Sequence, residues 1–238
     1  IADFGGAYAV SFLILAVNGC LADVALSRPR LTRRNAVAAG AVVALVAAAL
    51  AYGVTRMNHI ATDEGPQVLM VQANIAQDLK ISPTLQDGLT QMRRHVDLSD
   101  PPAGLRPNLV IWPETSLPAP INIMLDDPFV ARLKEMPEYR EWAAFLEQCR
   151  GEWMRLRARA PTHLLVGAES YFPREKRRHN SAYFFGPAGE PLGRYDKIHI
   201  VVFGEYAPLE MLRFLRPPVM GPDLTPGRTA TLFDLPFE

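Results

Sequence analysis

Two uncharged apolar stretches at the start of the chain restrict its fold more than any other feature. Phe4 to Ala22 runs for 19 residues between Asp3 and Asp23, and Ala36 to Thr55 runs for 20 residues, mostly Ala, Val and Leu, before Arg56. As helices rising about 1.5 Å per residue, they reach roughly 28 to 30 Å, close to the thickness of a bilayer core. The competing reading is a pair of buried helices in a large soluble protein, but a soluble core rarely supplies two such runs back to back. A secretory signal fits poorly, because no basic segment precedes the first run and the second is too long for its apolar region. The expectation is therefore a membrane portion, residues 1–60, with two transmembrane helices. The connector Asp23 to Asn35 carries Arg28, Arg30, Arg33 and Arg34, whereas Arg56 is followed by Asp63 and Glu64. By the positive-inside bias the connector is cytoplasmic, and the residues after Arg56 face the periplasm or its equivalent.

A second polymer begins after Thr62 to Pro66, a linker by composition. Residues 66–238 are expected to form a mixed α/β domain. Gln67 to Gln72, Leu109 to Trp112, His163 to Ala168, Ser181 to Phe185 and Leu192 to Tyr195 read as strands, the last two joined by a turn at Gly186 to Gly189. Between them, Thr84 to Val96 has helical potential that Gly88 weakens. Glu138 to Arg159 places Trp142, Phe145, Leu146, Cys149, Trp153 and Leu156 on one helical stripe. Arg216 to Arg228, with four prolines and two glycines, is expected to be an irregular loop. The 25 Lys+Arg balance 25 Asp+Glu, so charge directs the chain toward no nucleic acid. Two cysteines give no disulfide framework, and the five histidines show no metal-ligand spacing.

Three charged residues stand out by position. Glu114 is ejected from the end of an apolar strand by Pro113, which forbids further pairing. Lys197 lies just beyond a strand, and Glu205 follows Gly204 in an aromatic-flanked turn. Taken singly, each is an ordinary surface residue. Taken in order, Val71-Gln72-Ala73-Asn74-Ile75, Ile111-Trp112-Pro113-Glu114, Gly193-Arg194-Tyr195-Asp196-Lys197 and Phe203-Gly204-Glu205-Tyr206-Ala207-Pro208-Leu209 resemble the carbon-nitrogen hydrolase (nitrilase-like) superfamily. Within it, the membrane helices leading into a polar domain, Asn18 near the end of the first run and the basic connector resemble the bacterial apolipoprotein N-acyltransferase family.

The resemblance implies a nitrilase-like α-β-β-α sandwich, here truncated, and a Glu-Lys-Cys triad. Glu114 would be the general base, Lys197 the cation at the oxyanion, and a cysteine the nucleophile that carries an acyl group as a thioester. Glu205 would support the site by pairing with Lys197. The implied partners are a phospholipid acyl donor, an apolipoprotein acceptor and the membrane, with no cofactor, in the bacterial inner membrane with the polar domain facing the periplasm. The pattern departs from the family in one important place: no Cys-Tyr/Phe-Glu motif follows Lys197 before Glu238. The chain is accordingly expected to be a fragment that lacks upstream helices and the C-terminal nucleophile, and to be inactive by itself. Cys20 and Cys149 are expected to be filler, and Thr229 to Pro236 a strand. Ile81 and Val202 stand where the family often has Trp and Pro. Ser116 to Pro137, with Ile121, Ile123, Met124 and Leu125, is either a membrane-dipping arm or a buried loop. A membrane-tethered amidase or nitrilase and a catalytically inactive membrane scaffold are the alternative functions.

Overall fold

The computed structural model describes residues 1–26, 32–76, 84–207 and 223–237. The chain divides into two compact units, Ile1–Glu64 and Gly65–Glu238. The first unit is a pair of contacting helices, α1 (Ala2–Leu26) and α2 (Arg33–His59). Both are long and apolar enough to cross a membrane. Gly5 and Gly6 interrupt α1, Gly6 at φ 58°, so the regular helix runs from Ala7 to Leu26, about 30 Å. Thr32 caps α2, its hydroxyl accepting from the Asn35 N–H at 3.2 Å. Neither helix has a buried residue within this unit. Arg28 and Arg30 of the basic connector lie outside the described residues, as do Ile81 and the Pro208-Leu209 end of the last motif.

The second unit is one five-stranded mixed sheet with helices packed on one face. Its strands, in both chain and spatial order, are β1 (Val68–Met70), β2 (Leu109–Trp112), β3 (His163–Phe172), β4 (Arg177–Phe185) and β5 (Pro191–Asp196). The β1–β2 and β2–β3 pairs are parallel, and the two hairpins that follow are antiparallel. The crossovers that parallel pairing demands contain α3 (Leu85–Leu98) between β1 and β2, then α4 (Ile121–Met124), α5 (Asp127–Glu135) and α6 (Arg140–Arg159) between β2 and β3. Thr84 and Asp87 close a capping box at the start of α3. Gly88, which weakens the helix as an isolated segment, is required by packing: a Cβ there would stand 2.8 Å from Pro118 Cβ and 3.3 Å from the Phe145 ring.

Val110, Trp112, Leu164, Val166, Ala168 and Phe185 of the sheet share a core with Met92 and Val96 of α3 and with Phe145, Leu146, Cys149, Trp153 and Leu156 of α6. The stripe expected along α6 is therefore its buried face, with Trp142 packed at its margin. Ile121, Ile123 and Met124 are also buried in this core, which excludes the membrane-dipping arm: their apolar area is already taken by the domain.

Alternation along the strands puts Leu165, Gly167 and Glu169 of β3 opposite Phe184, Ala182 and Asn180 of β4 on the face away from this core. Asp223 to Phe237 crosses β4 and β5 on hydrogen bonds from Thr225 N to Arg178 O (2.6 Å) and from Gly227 N to Lys197 O (2.9 Å), and Phe233 stacks on Phe184 at 5.3 Å. Thr229 to Pro236 is not a strand. Among the described residues it meets β5 through side chains, by the bond from Thr231 Oγ1 to Arg194 O and by the Phe233 ring over Gly193, instead of a backbone ladder. Of the loop expected at Arg216 to Arg228, residues 223–228 are irregular and the earlier part lies outside the described residues. Among the described residues there is one sheet, so one α-β half of the expected four-layer sandwich is seen.

Candidate active site

Glu114 is placed by what pins the end of β2. Trp112 is buried, and its indole N–H donates to Ser99 Oγ at 2.8 Å, while the Ser99 hydroxyl donates to the His95 carbonyl at the same distance. Pro113 then ends the strand. The backbone turns through Thr115 at φ 47° and is tied back to β3, where both the N–H and the hydroxyl of Ser116 donate to the Gly167 carbonyl, at 2.8 and 2.9 Å. The approach requires glycine at 167: a Cβ would lie 2.4 Å from Pro113 O and 2.6 Å from Glu114 Cα.

Lys197 follows the last residue of β5. Ser181 Oγ holds Asp196 at 2.7 Å, and the Lys197 N–H donates to the Asn180 carbonyl at 2.8 Å, so the lysine backbone is registered on β4. Glu205 returns to the same place through a tight turn, in which its N–H donates to Val201 O and Val201 N–H donates to Glu205 Oε2, at 2.8 and 2.7 Å. In the apolar run that precedes it, Val201 and Val202 do not lie against the sheet but are exposed, and Phe203 takes a positive φ of 61° inside the turn, which a bridge between Val202 and Tyr206 closes.

The three residues meet. Lys197 Nζ donates to Glu114 Oε1 at 3.1 Å and to Glu205 Oε1 at 3.0 Å. Asn180 on β4, a buried residue, donates its Nδ2 to the same two oxygens. Sequence reasoning missed Asn180. The available signal was a polar amide inside a strand, where asparagine is disfavoured. Beside it in the ladder, Glu169 pairs with Arg178. Burial works against the charges of both Lys197 and Glu205, but hydrogen bonding outweighs it. Bonds to Glu205 and Glu114 raise the Lys197 ammonium above the ordinary lysine range. Bonds from the Val201 amide, Lys197 and Asn180 keep the Glu205 carboxyl below the ordinary glutamate range. Glu114 is the most open of the three, its side chain 61% exposed, and among the described residues nothing is bonded to its Oε2. Two cavities share Glu114, Asn180 and Lys197. One, about 230 Å³, is walled by Leu165, Ala182 and Tyr195, and the other, about 330 Å³, by Glu169, Val201 and Glu205.

A carboxylate and an adjacent ammonium can together move a proton and stabilise an oxyanion at one reacting centre. The sequence profile described as Carbon-nitrogen hydrolase matches residues 67–237, the whole extent of this sheet and its site. The chain belongs to the carbon-nitrogen hydrolase family. An apolipoprotein N-acyltransferase of Geobacter metallireducens is 30% identical over 243 aligned positions, which cover 98% of this chain and 42% of that protein. An apolipoprotein N-acyltransferase of Azotobacter vinelandii is 33% identical over 227, covering 90% and 37%. A solved carbon-nitrogen hydrolase from Helicobacter pylori G27 is 17% identical, with a TM-score of 0.37 over 68% of this chain and 44% of the other. The chain thus spans about two-fifths of the length of these curated relatives.

Neither cysteine of this carbon-nitrogen hydrolase chain lines the two cavities. Cys149 is fully buried on α6, where burial first, and Glu152 second, push its thiol up to about 12. A thiol so far from ionising in an apolar core is no nucleophile. Cys20 belongs to α1.

Proposed function

We propose that, in the full-length protein, this chain supplies the base and the cation of a thioester acyltransferase. The enzyme would move an acyl chain from a phospholipid to the α-amino group of a diacylglyceryl-cysteine lipoprotein. The observation that carries the reading is the Lys197 ammonium shared between two carboxylates, with Glu114 lining both cavities and its Oε2 unbonded among the described residues. The named relatives support an apolipoprotein amine as the acyl acceptor, since the similarity to an apolipoprotein N-acyltransferase runs over 98% of the chain. The two apolar helices support a membrane setting. Residues such as Phe4, Tyr8, Phe12, Leu15 and Leu50 are largely exposed, an apolar surface that lipid would cover. The four arginines of the connector support a cytoplasmic loop between the helices and a polar unit on the periplasmic side of a bacterial inner membrane.

In this reading a cysteine outside these 238 residues attacks the ester carbonyl of the phospholipid. Its S–H proton passes to Glu114 Oε2, an S–C bond forms, and Lys197 donates to the oxyanion. Collapse breaks the C–O bond, and Glu114 returns the proton to the departing lysophospholipid oxygen. A neutral lipoprotein amine then attacks the thioester. A C–N bond forms, Glu114 accepts the ammonium proton, the C–S bond breaks, and the proton goes back to the thiolate. Lys197 and Glu205 undergo no net change. The amidase alternative changes both substrates: an amide takes the place of the ester, its C–N bond breaks as Glu114 gives the proton to the leaving amine, and water then attacks the thioester, so the assay must include water as well as the amine as acceptor.

The test uses the full-length protein with radiolabelled phospholipid. Wild type should form a hydroxylamine-sensitive acyl adduct and transfer it to a lipopeptide amine. Glu114→Gln and Lys197→Ala should each lose about 10²-fold or more of adduct formation while melting as wild type does. Near-normal adduct in either variant, a wild-type adduct on Cys149, or release only to water would overturn the assignment.

A further inference from the structure

We infer that Asn180 is a positioning residue, a neutral clamp that holds the carboxylates of Glu114 and Glu205 on either side of Lys197. Its role in catalysis rests on the acyl-transfer reading above, but the clamp itself stands on geometry. Two nitrogens and two oxygens close a ring: Asn180 Nδ2 and Lys197 Nζ each donate to Glu114 Oε1 and to Glu205 Oε1. The Asn180 main chain reinforces the ring, because its carbonyl accepts the Lys197 N–H at 2.8 Å. One buried residue therefore registers the lysine backbone and both carboxylates.

The charge count explains why an amide is needed there. The ring holds two carboxylates and one ammonium, a net −1, and the pair opposite it in the ladder, Glu169 with Arg178, adds nothing net. Bringing two carboxylate oxygens to one ammonium is costly unless each finds a further donor. An amide adds two N–H groups and no charge, so it relieves the crowding without taking a carboxylate away from Lys197. Glu205 Oε2 is engaged by the Val201 N–H, whereas Glu114 Oε2 has no partner among the described residues. By fixing Glu114 Oε1 from two sides, the clamp leaves Oε2 as the atom presented to a substrate. It also leaves Lys197 one N–H beyond the two it spends on the carboxylates.

Two changes separate this role from plain packing. Asn180→Ala removes both donors, and Asn180→Asp keeps the shape but replaces donors with a third carboxylate. The primary readout is the titration of glutamate carboxyls labelled with ¹³C at Cδ, in the 238-residue chain in detergent, with Glu114→Gln and Glu205→Gln used to assign the signals. In wild type the Glu205 resonance should titrate below the ordinary glutamate range. Its midpoint should rise by about one pH unit in Asn180→Ala and further in Asn180→Asp. Thr162→Ala, which removes the bonds from its hydroxyl to the Pro107 and Asn108 carbonyls outside the site, should alter melting and leave that midpoint in place. An unchanged Glu205 midpoint in both Asn180 variants, with the fold retained, would overturn the clamp, as would a Thr162→Ala shift of equal size. In the full-length enzyme, the acid limb of adduct formation should move up by the same amount. This titration needs no turnover: if wild type transferred no acyl group, the proposed function would fall while the clamp was still decided by the midpoint.

Discussion

Replacing Gly167 by alanine is expected to disable the site without touching any charged group. The new Cβ would lie 2.4 Å from Pro113 O, 2.6 Å from Glu114 Cα and 2.9 Å from Pro113 C, all backbone atoms that no rotamer change can move aside. Restoring ordinary contact near 3.4 Å requires the strand end carrying Glu114 to retreat by about 1 Å, a displacement that places a reacting group badly enough to lose roughly 10²-fold in rate. The same movement strains the two bonds from Ser116 to the Gly167 carbonyl. Overpacking of this kind costs about 1 to 3 kcal/mol. For a unit of this size that is a fall in melting temperature of roughly 3 to 10 °C. The assay pairs adduct formation by the full-length enzyme with its thermal unfolding, and uses Ala182→Gly, the cross-strand neighbour on the same face, as the comparison. Adduct formation within threefold of wild type in Gly167→Ala, with unchanged melting, would refute the reasoning, because it would mean that the loop carrying Glu114 is not held by this contact.

Cys149→Ala should lower stability by about 1 kcal/mol through a small cavity and leave adduct formation unchanged, checked by melting and by label retention. The pH dependence has a definite sign. Glu205 is held below its ordinary range, so its contribution is present above about pH 4.3 and lost as pH falls through its folded value. Lys197 is held above its range, so its contribution is present below about pH 10.4 and lost as pH rises through its folded value. The stability gap between wild type and Glu205→Gln should therefore be flat from about pH 5 to about pH 10 and shrink at both ends; a gap that widens in acid would contradict the pairing. A reporter active only outside the cytoplasm should work when fused after Asp63 and be silent when inserted at Thr32, and the opposite pattern would place the polar unit in the cytoplasm.

What could be read before folding was whatever is encoded locally. Uncharged runs specify helices of bilayer length, alternation specifies strands, and Leu109 to Trp112 ends in Pro113, so the ejection of Glu114 is written in six consecutive residues. The α6 stripe was legible for the same reason: period and burial coincide along one element. The fate of Ile121 to Met124 was not, because an apolar cluster is equally suited to lipid and to a protein core, and only the neighbours on β3 and α6 decide between them. Thr229 to Pro236 is a strand by likeness to the family pattern but not in the structure, because likeness in sequence does not tell whether a ladder partner lies alongside.

For the site, the sequence by itself determined three charged side chains and the local devices that present them: a proline after a strand, a strand end, and a glycine turn. It also determined the two apolar helices and the α/β character of the rest. The resemblance of the motifs already implied one site for Glu114, Lys197 and Glu205; tertiary structure alone decided that the single Lys197 ammonium bonds one oxygen of Glu114, 83 positions away, and one of Glu205, and that a strand asparagine bridges both carboxylates. The reason is geometric. Parallel pairing of β2 with β3 and antiparallel pairing of β3, β4 and β5 bring Gly167, Asn180 and Lys197 to one end of the sheet, and no local periodicity specifies which strands pair or in what register. Gly88 and Gly167 belong to the same class: each looks like a weakness in its own element until the neighbouring backbone or side chain that occupies the missing Cβ is in place.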